Sequence, residues 1–383
     1  MNQNYDVCII GAGAAGLAAA NVLDPALSIC IIDKNEIPGR KILVTGGGRC
    51  NLTNRACHRY EMTLDFFRGL GLETRCDEEG RYYPYSMVAA DVAGVLRKGL
   101  EGRDIDWKLK KKVTDIEKLP DEQGTTSGFK VRMTHADGRE GRDDHEEIRA
   151  TILLIAMGGK AAPRMGTTGD GYGLCKGLGH SVTRTYPILT GLSVDVPENV
   201  AGVRARGRVC LMEDGKVIAE ETGEIQFTRD GISGICVFDL TPHIKIRPSE
   251  TPGEGLLRFT LKMDLAPEMS EEEVLSRADS FGIVTGPLAE WIPPSELKNK
   301  ELKIDGVWGW DRAQATAGGV ALDEIDEETM ASTICPGLYF AGEILDVQGP
   351  CGGFNLQHAW ESGILAAKAI NADFKIRDQI RER

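Results

Sequence analysis

The chain has no hydrophobic run long enough to cross a membrane and no cysteine pair in C-x-x-C spacing. Its apolar runs, such as 7–10, 29–32 and 152–156, have the length of buried strands rather than the roughly 20 residues of a membrane helix. The ten cysteines are scattered along the chain. We therefore expect neither a membrane-spanning protein nor a dithiol–disulfide reductase nor a zinc ribbon, and we expect no metal site.

Basic residues are also too few to make the molecule positively charged. There are 45 Lys and Arg against 58 Asp and Glu, so the formal net charge is −13. A strong overall attraction for nucleic acid is not expected, although a local basic patch is compatible with this balance. The apolar start at Tyr5 does not resemble a secretory leader, and the unpatterned cysteines suit a reducing compartment. These features favour a cytoplasmic protein.

Glycine is abundant, with 46 residues in 383, and its first cluster predicts a nucleotide site. Gly11, Gly13 and Gly16 follow an apolar strand and open an Ala-rich helix, and the next strand ends at Asp33. In this fingerprint the glycines allow a tight turn, close approach to a pyrophosphate and close helix packing. An acid at Asp33 would bind ribose hydroxyls and repel a 2′-phosphate, which favours FAD or NAD. The cofactor contacts predicted here are Gly11, Gly13, Ala14, Ala15, Gly16, Asp33 and Lys34.

The C-terminal part of the chain favours FAD over NAD. A short strand at 337–341 runs into Gly342 and Glu343, where a carboxylate can bind ribityl hydroxyls. A last helix then begins near Gly353, and its free N–H groups can face the pyrimidine edge of a flavin. The predicted contacts here are Gly342, Glu343, Gly353, Phe354, Asn355 and Leu356. No second G-x-G-x-x-G follows a strand, so we expect NADH or NADPH, the electron donor, to bind only transiently.

Further cofactor contacts are predicted between these two segments. Arg40 and Lys41 are candidates for binding phosphate or the flavin carbonyl oxygen, and a loop of three glycines precedes Arg49 and Cys50. The buried strand at 151–156 is expected to end beside FAD. The predicted contacts in this part of the chain are Arg40, Lys41, Gly47, Gly48, Arg49, Cys50, Val113, Ala156 and Gly158.

Three residues are candidates for the catalytic site, each with a structural alternative. Cys50 has the residue type of a proton donor, because a thiol with a pKa near 8.5 is a competent acid, but it also suits a small buried position. His358, near the start of the last helix, is either a second acid or a supporting residue. Tyr83 belongs to an aromatic and basic cluster that forms either a substrate wall or a packed surface loop.

Several motifs resemble those of bacterial flavoproteins of the HI0933-like, BaiN/RdsA type. The matching stretches cover most of the chain, and they are GRKILVTGGGRCNLTN (39–54), GRYYPYS (80–86), GTTGDGY (166–172), FTRDGISG (227–234) and GEILDVQGPCGGFNLQ (342–357). The resemblance implies an α/β fold: a Rossmann-type, glutathione-reductase-like FAD domain in two segments (1–190 and 313–383). It also implies an inserted domain at 191–312 with β-barrel-like and helical parts, which binds substrate or partner.

The resemblance also implies the class of reaction, because such proteins reduce either conjugated C=C bonds in dehydro-bile acids or uridine in ribosomal RNA. We expect hydride addition from flavin N5 to a carbon conjugated with a carbonyl, followed by protonation of the neighbouring carbon. The leading hypothesis is an NAD(P)H-driven enone or steroid reductase. Dihydrouridine synthesis in 23S ribosomal RNA and a non-catalytic flavin-binding protein are the alternatives. Basic clusters at 108–112 and 204–208 suit RNA if they line a cleft, and otherwise a solvated face.

Overall fold

The computed structural model describes residues 3–120, 126–137, 145–247 and 249–381. The chain divides into two compact units. The two-segment unit is Met1–Tyr186 with Thr316–Arg383, and the inserted unit is Pro187–Ala315. The insert predicted at 191–312 lies within the second of these, while its role as a substrate or partner domain stays a prediction.

The strands alternate with helices in the first part of the chain and follow one another in the inserted unit. In chain order they are β1 (Gln3–Ile10), β2 (Ile29–Asp33), β3 (Thr53–Asn54), β4 (Thr74–Cys76), β5 (Arg81–Pro84), β6 (Ile105–Leu109), β7 (Lys111–Pro120), β8 (Thr126–His135), β9 (Glu146–Ile155), β10 (Tyr186–Ile188), β11 (Leu192–Ser193), β12 (Arg204–Glu213), β13 (Lys216–Thr228), β14 (Gly231–Ser233), β15 (Phe259–Asp264), β16 (Lys300–Lys303), β17 (Gly306–Val307), β18 (Ala315–Ala317) and β19 (Leu338–Phe340).

Among the described residues, the longer helices belong to the two-segment unit. They are α1 (Ala14–Val22), α2 (Tyr60–Gly69), α3 (Ala89–Lys98), α4 (Asp170–Gly177) and α10 (Phe354–Arg381). The helices described in the inserted unit are short: α5 (Ile235–Phe238), α6 (Pro252–Leu256), α7 (Glu271–Leu275), α8 (Gly286–Trp291) and α9 (Pro294–Leu297). Within the described residues, no helix combines the length and the hydropathy needed to cross a membrane.

The two-segment unit is built on a seven-stranded sheet in the order β6-β2-β1-β9-β8-β7, with β19 also paired to β9. Strands β6, β2, β1, β9 and β19 run parallel, while β7 and β8 form an antiparallel extension. The central strands are buried on both faces, which explains why 7–10, 29–32 and 152–155 are continuous apolar runs. The predicted Rossmann-type fold in two segments is confirmed, because β19 from the second segment completes the sheet of the first.

Helices α1 and α10 pack against each other although they lie at opposite ends of the chain. Their contact uses small residues, and a Cβ atom on Gly363 would lie 2.4 Å from the carbonyl oxygen of Ala15. Only glycine permits this close backbone approach. Helix α10 continues along the charged tail of the chain to Arg381.

The remaining sheets are antiparallel. In the two-segment unit, β3, β5 and β4 form a three-stranded sheet, and the inserted unit has a seven-stranded sheet in the order β16-β15-β12-β13-β14-β11-β17. The core of the inserted unit alternates along the strands, with Val209 and Leu211 of β12 buried beside Leu261 and Met263 of β15. Its short helix α7 begins with the capping box formed by Ser270 and its partner three residues later.

The tight contact between α1 and α10 generates a stability prediction. Gly363→Ala should lower the free energy of unfolding by about 1–3 kcal/mol, because the new methyl group collides with backbone that cannot move freely. Gly94→Ala in α3 is the matched control, since its Cβ would meet no described atom within 4 Å. That substitution should raise stability by about 0.5–1 kcal/mol through helix propensity. Denaturant unfolding followed by circular dichroism measures both; equal effects of the two substitutions would contradict this packing.

Candidate active site

The carboxyl ends of four parallel strands meet at one edge of the main sheet. Ile10 of β1 pairs in register with Ile32 of β2 and Ile155 of β9, and Ile155 pairs with Phe340 of β19. The residues that follow these ends are therefore neighbours. Ligands of open α/β sheets bind at this kind of edge, so the predicted contacts Gly11, Asp33, Ala156 and Gly342 are brought to the same place.

The glycine loop after β1 has the geometry expected of a phosphate cradle. Gly11 has φ of +108°, and its Cβ would lie 2.3 Å from the Ala156 carbonyl oxygen. A Cβ on Gly16 would lie 1.9 Å from the Gly11 carbonyl oxygen. Gly13 differs, because its Cβ would meet no described atom within 4 Å. Two glycines are thus required by packing, while the third leaves open space at the start of α1, where a pyrophosphate fits.

The N-terminus of α1 carries unsatisfied N–H groups. Gly13 is the N-cap of α1 and provides no side-chain hydrogen bond to it, and the first turn has no acidic residue. Ala14 and Ala15 therefore place backbone donors and the positive end of the helix dipole at this cradle. The arrangement fits a diphosphate group such as that of FAD.

Asp33 lies beneath the glycine loop and holds it. Its carboxylate accepts hydrogen bonds from the backbone N–H of Ala12 (2.7 Å) and of Asn35 (2.7 Å). Each carboxylate oxygen keeps lone-pair capacity for a further donor. The predicted contact to ribose hydroxyls is compatible with this geometry.

Lys34 and Val113, both predicted as cofactor contacts, have roles within the protein itself near this edge. Lys34 Nζ lies 2.5 Å from Asp170 Oδ2 and 2.5 Å from Thr168 Oγ1, and Lys112 Nζ lies 3.3 Å from Asp170 Oδ1. Burial opposes ionisation of Asp170, but the hydrogen bonds from Lys34 and Thr168 lower its pKa to about 2. Val113 is buried on β7. Lys34 thus joins the loop after β2 to the start of α4.

Lys41 and Glu343 form an ion pair that joins the two chain segments. Their Nζ and Oε2 atoms lie 2.8 Å apart, and Glu343 Oε1 accepts the backbone N–H of Thr316 at 2.8 Å. The sequence predicted both residues as cofactor contacts but not their contact with each other. Arg40 is exposed and donates to Asn35 Oδ1 at 3.3 Å.

The start of α10 is held against the loop that follows the three glycines. A Cβ on Gly353 would lie 2.7 Å from the Thr53 carbonyl carbon and 2.8 Å from Asn51 Oδ1. Asn355 exchanges hydrogen bonds with the backbone of Gly349, at 3.0 and 2.9 Å. The backbone of Phe354 and Leu356 forms the first turn of α10, where N–H groups await an acceptor.

Residues 41–53 therefore bridge two predicted flavin contacts. They begin at Lys41, which pairs with Glu343, and they end at Thr53, which contacts Gly353. Trp360 is fully buried in α10 and donates from Nε1 to the Leu52 carbonyl oxygen at 3.0 Å. We call residues 41–53 the bridging loop.

The bridging loop has an unusual backbone that the glycines permit. Gly47 (φ +65°) and Gly48 (φ +83°) lie in the left-handed region, and a Cβ on either would meet no described atom within 4 Å. Cys50 also has positive φ, at +57°. The bridging loop is therefore sharply folded, not extended. Outside this loop, Gly158, which follows β9, also has a positive φ, of +68°.

The three candidate acids have different environments. Cys50 is fully buried, and burial raises the pKa of its thiol to about 12. Burial lowers the pKa of His358 to about 4, so its ring is neutral at pH 7, and its Nε2 atom is buried without a described hydrogen-bond partner. Tyr83 is 6% exposed beneath Arg49, whose guanidinium lies 5.4 Å from the ring centroid. Burial raises the pKa of Tyr83.

Sequence reasoning missed Thr316, which organises the site. Its Oγ1 accepts the backbone N–H groups of Lys160 (2.8 Å) and Ala161 (3.1 Å), while its own N–H binds Glu343. A single threonine between alanines carries no local signal of this role. The position of Thr316 only becomes significant when β18 lies beside the loop after β9.

Most members of the two predicted basic clusters are paired with carboxylates. In the two-segment unit, Lys108 Nζ lies 2.6 Å from Glu146, and Lys111 lies 3.3 Å from the same residue. In the inserted unit, Arg208 pairs with Asp264 at 3.0 Å. Arg204 likewise pairs with Glu224 at 3.1 Å. These side chains form ion pairs on β6, β7 and β12 rather than a free positive stripe.

Comparison with known proteins identifies relatives along the whole chain. The family described as HI0933-like protein Rossmann domain matches residues 5–64 and 56–369. The 3-dehydro-bile acid delta(4,6)-reductase of Clostridium scindens is 33% identical over 94% of this chain and 98% of its own length. The ribosomal RNA dihydrouridine synthase of Escherichia coli is 27% identical over 97% of this chain and 99% of its own length.

Solved structures support the fold. A structure of E. coli quinol fumarate reductase matches with a TM-score of 0.51 and 16% identity, over 97% of this chain and 71% of that chain. At this identity the likeness concerns architecture alone. The description of the matching family as a Rossmann domain agrees with the parallel sheet and the glycine loop of the two-segment unit. The chain therefore belongs to the HI0933-like family and is an FAD-dependent oxidoreductase.

Proposed function

We propose that the protein reduces a C=C bond conjugated with a carbonyl group in a small molecule of the enone or dehydro-steroid class, using electrons from NADH or NADPH. The observation that carries this proposal is the bridging loop, which begins and ends at predicted flavin contacts and carries Arg49, whose guanidinium lies 5.4 Å from the ring centroid of Tyr83 on β5. The name of the Clostridium scindens relative, a bile acid reductase 33% identical to this chain, supports the same substrate class.

When bound and reduced, FAD would supply a hydride to the β-carbon of the substrate. The chain has two further tasks, which are to stabilise negative charge on the carbonyl oxygen and to protonate the α-carbon. The cradle at Gly13, the carboxylates of Asp33 and Glu343 and the start of α10 would hold the cofactor. Gly353 allows α10 to begin directly against the bridging loop.

Among the three catalytic candidates, Tyr83 is best suited to give the proton. Its hydroxyl is protonated at neutral pH, as that of a tyrosine normally is, and burial raises its pKa further. Cys50 also keeps its proton, but its thiol is fully buried. His358 is neutral at pH 7, and a neutral imidazole is a weak acid. We therefore assign proton donation to the hydroxyl of Tyr83.

Dihydrouridine synthesis in ribosomal RNA is the second candidate function. The support is the similarity to the E. coli and Haemophilus influenzae synthases, which are 27% and 26% identical to this chain. The ion pairs formed by most members of the two basic clusters favour a small molecule instead, because paired lysines and arginines offer little net charge to RNA phosphates. Mapping dihydrouridines in ribosomal RNA from a deletion strain separates the two functions.

The open position of Gly13 allows the cofactor to be tested apart from folding. Gly13→Ala should bind FAD at least about tenfold more weakly, because a methyl group would occupy the space required for a close phosphate approach. The apoprotein should unfold at the same denaturant concentration, since φ at this position is −83° and the space is open. Titration of apoprotein with FAD, followed by flavin fluorescence, measures the dissociation constant. Unchanged affinity, with Gly94→Ala as the control, would contradict the proposed cradle.

The proton donor can be identified by comparing variants in one half-reaction. Tyr83→Phe should slow reoxidation of the reduced enzyme by an enone at least about a hundredfold, the usual scale of lost acid catalysis. Reduction of the enzyme by NADH or NADPH should change little. Because the acid acts while protonated and the Tyr83 pKa is raised, the wild-type rate should stay constant up to about pH 10 and fall only above it.

Stopped-flow absorbance under anaerobic conditions measures both half-reactions. Tyr85→Phe is the control, because Tyr85 follows the same strand but is 64% exposed. Cys50→Ala and His358→Asn complete the set. A larger loss in either of these variants than in Tyr83→Phe would transfer proton donation to that residue. If the wild type is not reoxidised by any enone, the proposed function is wrong.

A further inference from the structure

Arg49 is an exposed cation without an anionic partner at the centre of the bridging loop. Among the described residues, its contacts are a hydrogen bond from Nε to the Gly46 carbonyl oxygen at 3.3 Å and the ring of Tyr83. No described carboxylate lies within ion-pair distance. Nearby Arg81, in contrast, pairs with Asp77 at 2.7 Å and with Glu79 at 2.6 Å.

Two contacts leave one edge of the Arg49 guanidinium group open. Its central carbon lies over the Tyr83 ring, 5.4 Å from the centroid, and its Nε–H donates to the Gly46 carbonyl oxygen at 3.3 Å. The edge formed by Nη1 and Nη2 is left with no described partner. Two parallel N–H donors on a planar cation match the two oxygens of a carboxylate, which is the geometry of bidentate recognition. A single carbonyl oxygen would use only part of this edge.

The position of Arg49 links this edge to the substrate. The bridging loop begins at Lys41, which is paired with Glu343, and ends at Thr53 beside Gly353, so Arg49 lies in the segment between two predicted flavin contacts. The guanidinium carbon of Arg49 lies 5.4 Å from the ring centroid of the proposed proton donor, Tyr83. An anionic group bound by Arg49 would therefore anchor a substrate whose reacting carbons lie near Tyr83.

We propose that Arg49 is a specificity residue that binds a carboxylate carried by the enone substrate, through a two-donor contact. This inference rests on the proposed function and refines it: the preferred substrate is an acidic enone, such as a steroid enone with a side-chain carboxylate. Because the molecule has a net charge of −13, long-range attraction does not favour an anion. Selection of an acid must then come from a local contact of this kind.

The test compares a steroid enone that has a side-chain carboxylate with the methyl ester of the same compound. The wild type should prefer the acid by at least about tenfold in kcat/KM, the scale of one charge-assisted pair. In Arg49→Gln the ratio of acid to ester should fall to within about twofold of one. Arg49→Lys should recover part of the preference, because it restores the charge without the planar pair of donors.

Arg75→Gln is the matched control. Arg75 is also exposed and stacked on a tyrosine, with its guanidinium 4.6 Å from the ring centroid of Tyr85, but it lies on β4 outside the bridging loop. This variant should keep the wild-type ratio of acid to ester. If Arg75→Gln also loses the preference for the acid over the ester, then general charge and not the Arg49 contact selects the acid, and the proposal is overturned.

Equilibrium binding separates this proposal from the proposed function. The saturated acid and its methyl ester, which cannot be reduced further, are titrated into oxidised holoenzyme, and the change in flavin absorbance gives their dissociation constants. Tighter binding of the acid by the wild type, lost in Arg49→Gln, supports the proposal even if turnover of enones is not observed. Equal binding of acid and ester by the wild type, or a preference that survives in Arg49→Gln, overturns it while leaving enone reduction possible.

Discussion

The structure depends on a close backbone contact between the two ends of the chain. Helix α1 begins at the glycine loop, and helix α10 approaches it so closely that Gly363 has no room for a side chain against the Ala15 carbonyl oxygen. Gly342 is fixed to the same helix, since its N–H donates to Ser362 Oγ at 2.9 Å. These contacts help to bring the end of β19 to the ends of β1, β2 and β9. Together these four strand ends form the sheet edge that would receive the cofactor.

The bridging loop is the second constraint, and it follows from the first. Once α10 is fixed against α1, its first turn can hold Asn51 and Thr53, while Lys41 reaches Glu343. The glycines between these anchors then fold sharply and leave Arg49 exposed over Tyr83. The proposed proton donor, Tyr83, lies on β5, and Arg49 lies beside it on a loop that is tied at both ends, an arrangement that limits the freedom of Arg49.

Local patterns in the sequence were sufficient to predict the fold and the phosphate cradle. The spacing of Gly11, Gly13 and Gly16 between a strand and a helix has a direct steric meaning, and the structure shows the close approaches it requires at Gly11 and Gly16. Asp33 was predicted in the same way, from its place at the end of the next strand. Each of these inferences depended on residues that are neighbours in the chain.

Contacts between distant segments were not accessible to the same reasoning. Lys41 and Glu343 were each predicted to touch the cofactor, yet nothing in either sequence context indicated that they pair across 302 residues. Similarly, the residue type of His358 suggested an acid, whereas its acidity is set by burial between elements whose packing a one-dimensional pattern does not contain. The sequence predicts which groups are present, and tertiary packing decides which of them are ionised or accessible.

The division of one unit between both chain ends has a consequence for synthesis on the ribosome. Strands β1, β2 and β9 emerge early, but the edge of β9 stays without β19 until almost the whole polypeptide has been made. The inserted unit, being continuous in sequence, can acquire its own core while its host is still incomplete. The nascent chain thus carries an unpaired parallel strand edge through most of its translation, and the cofactor contacts predicted at the start of the final helix are the last to leave the exit tunnel.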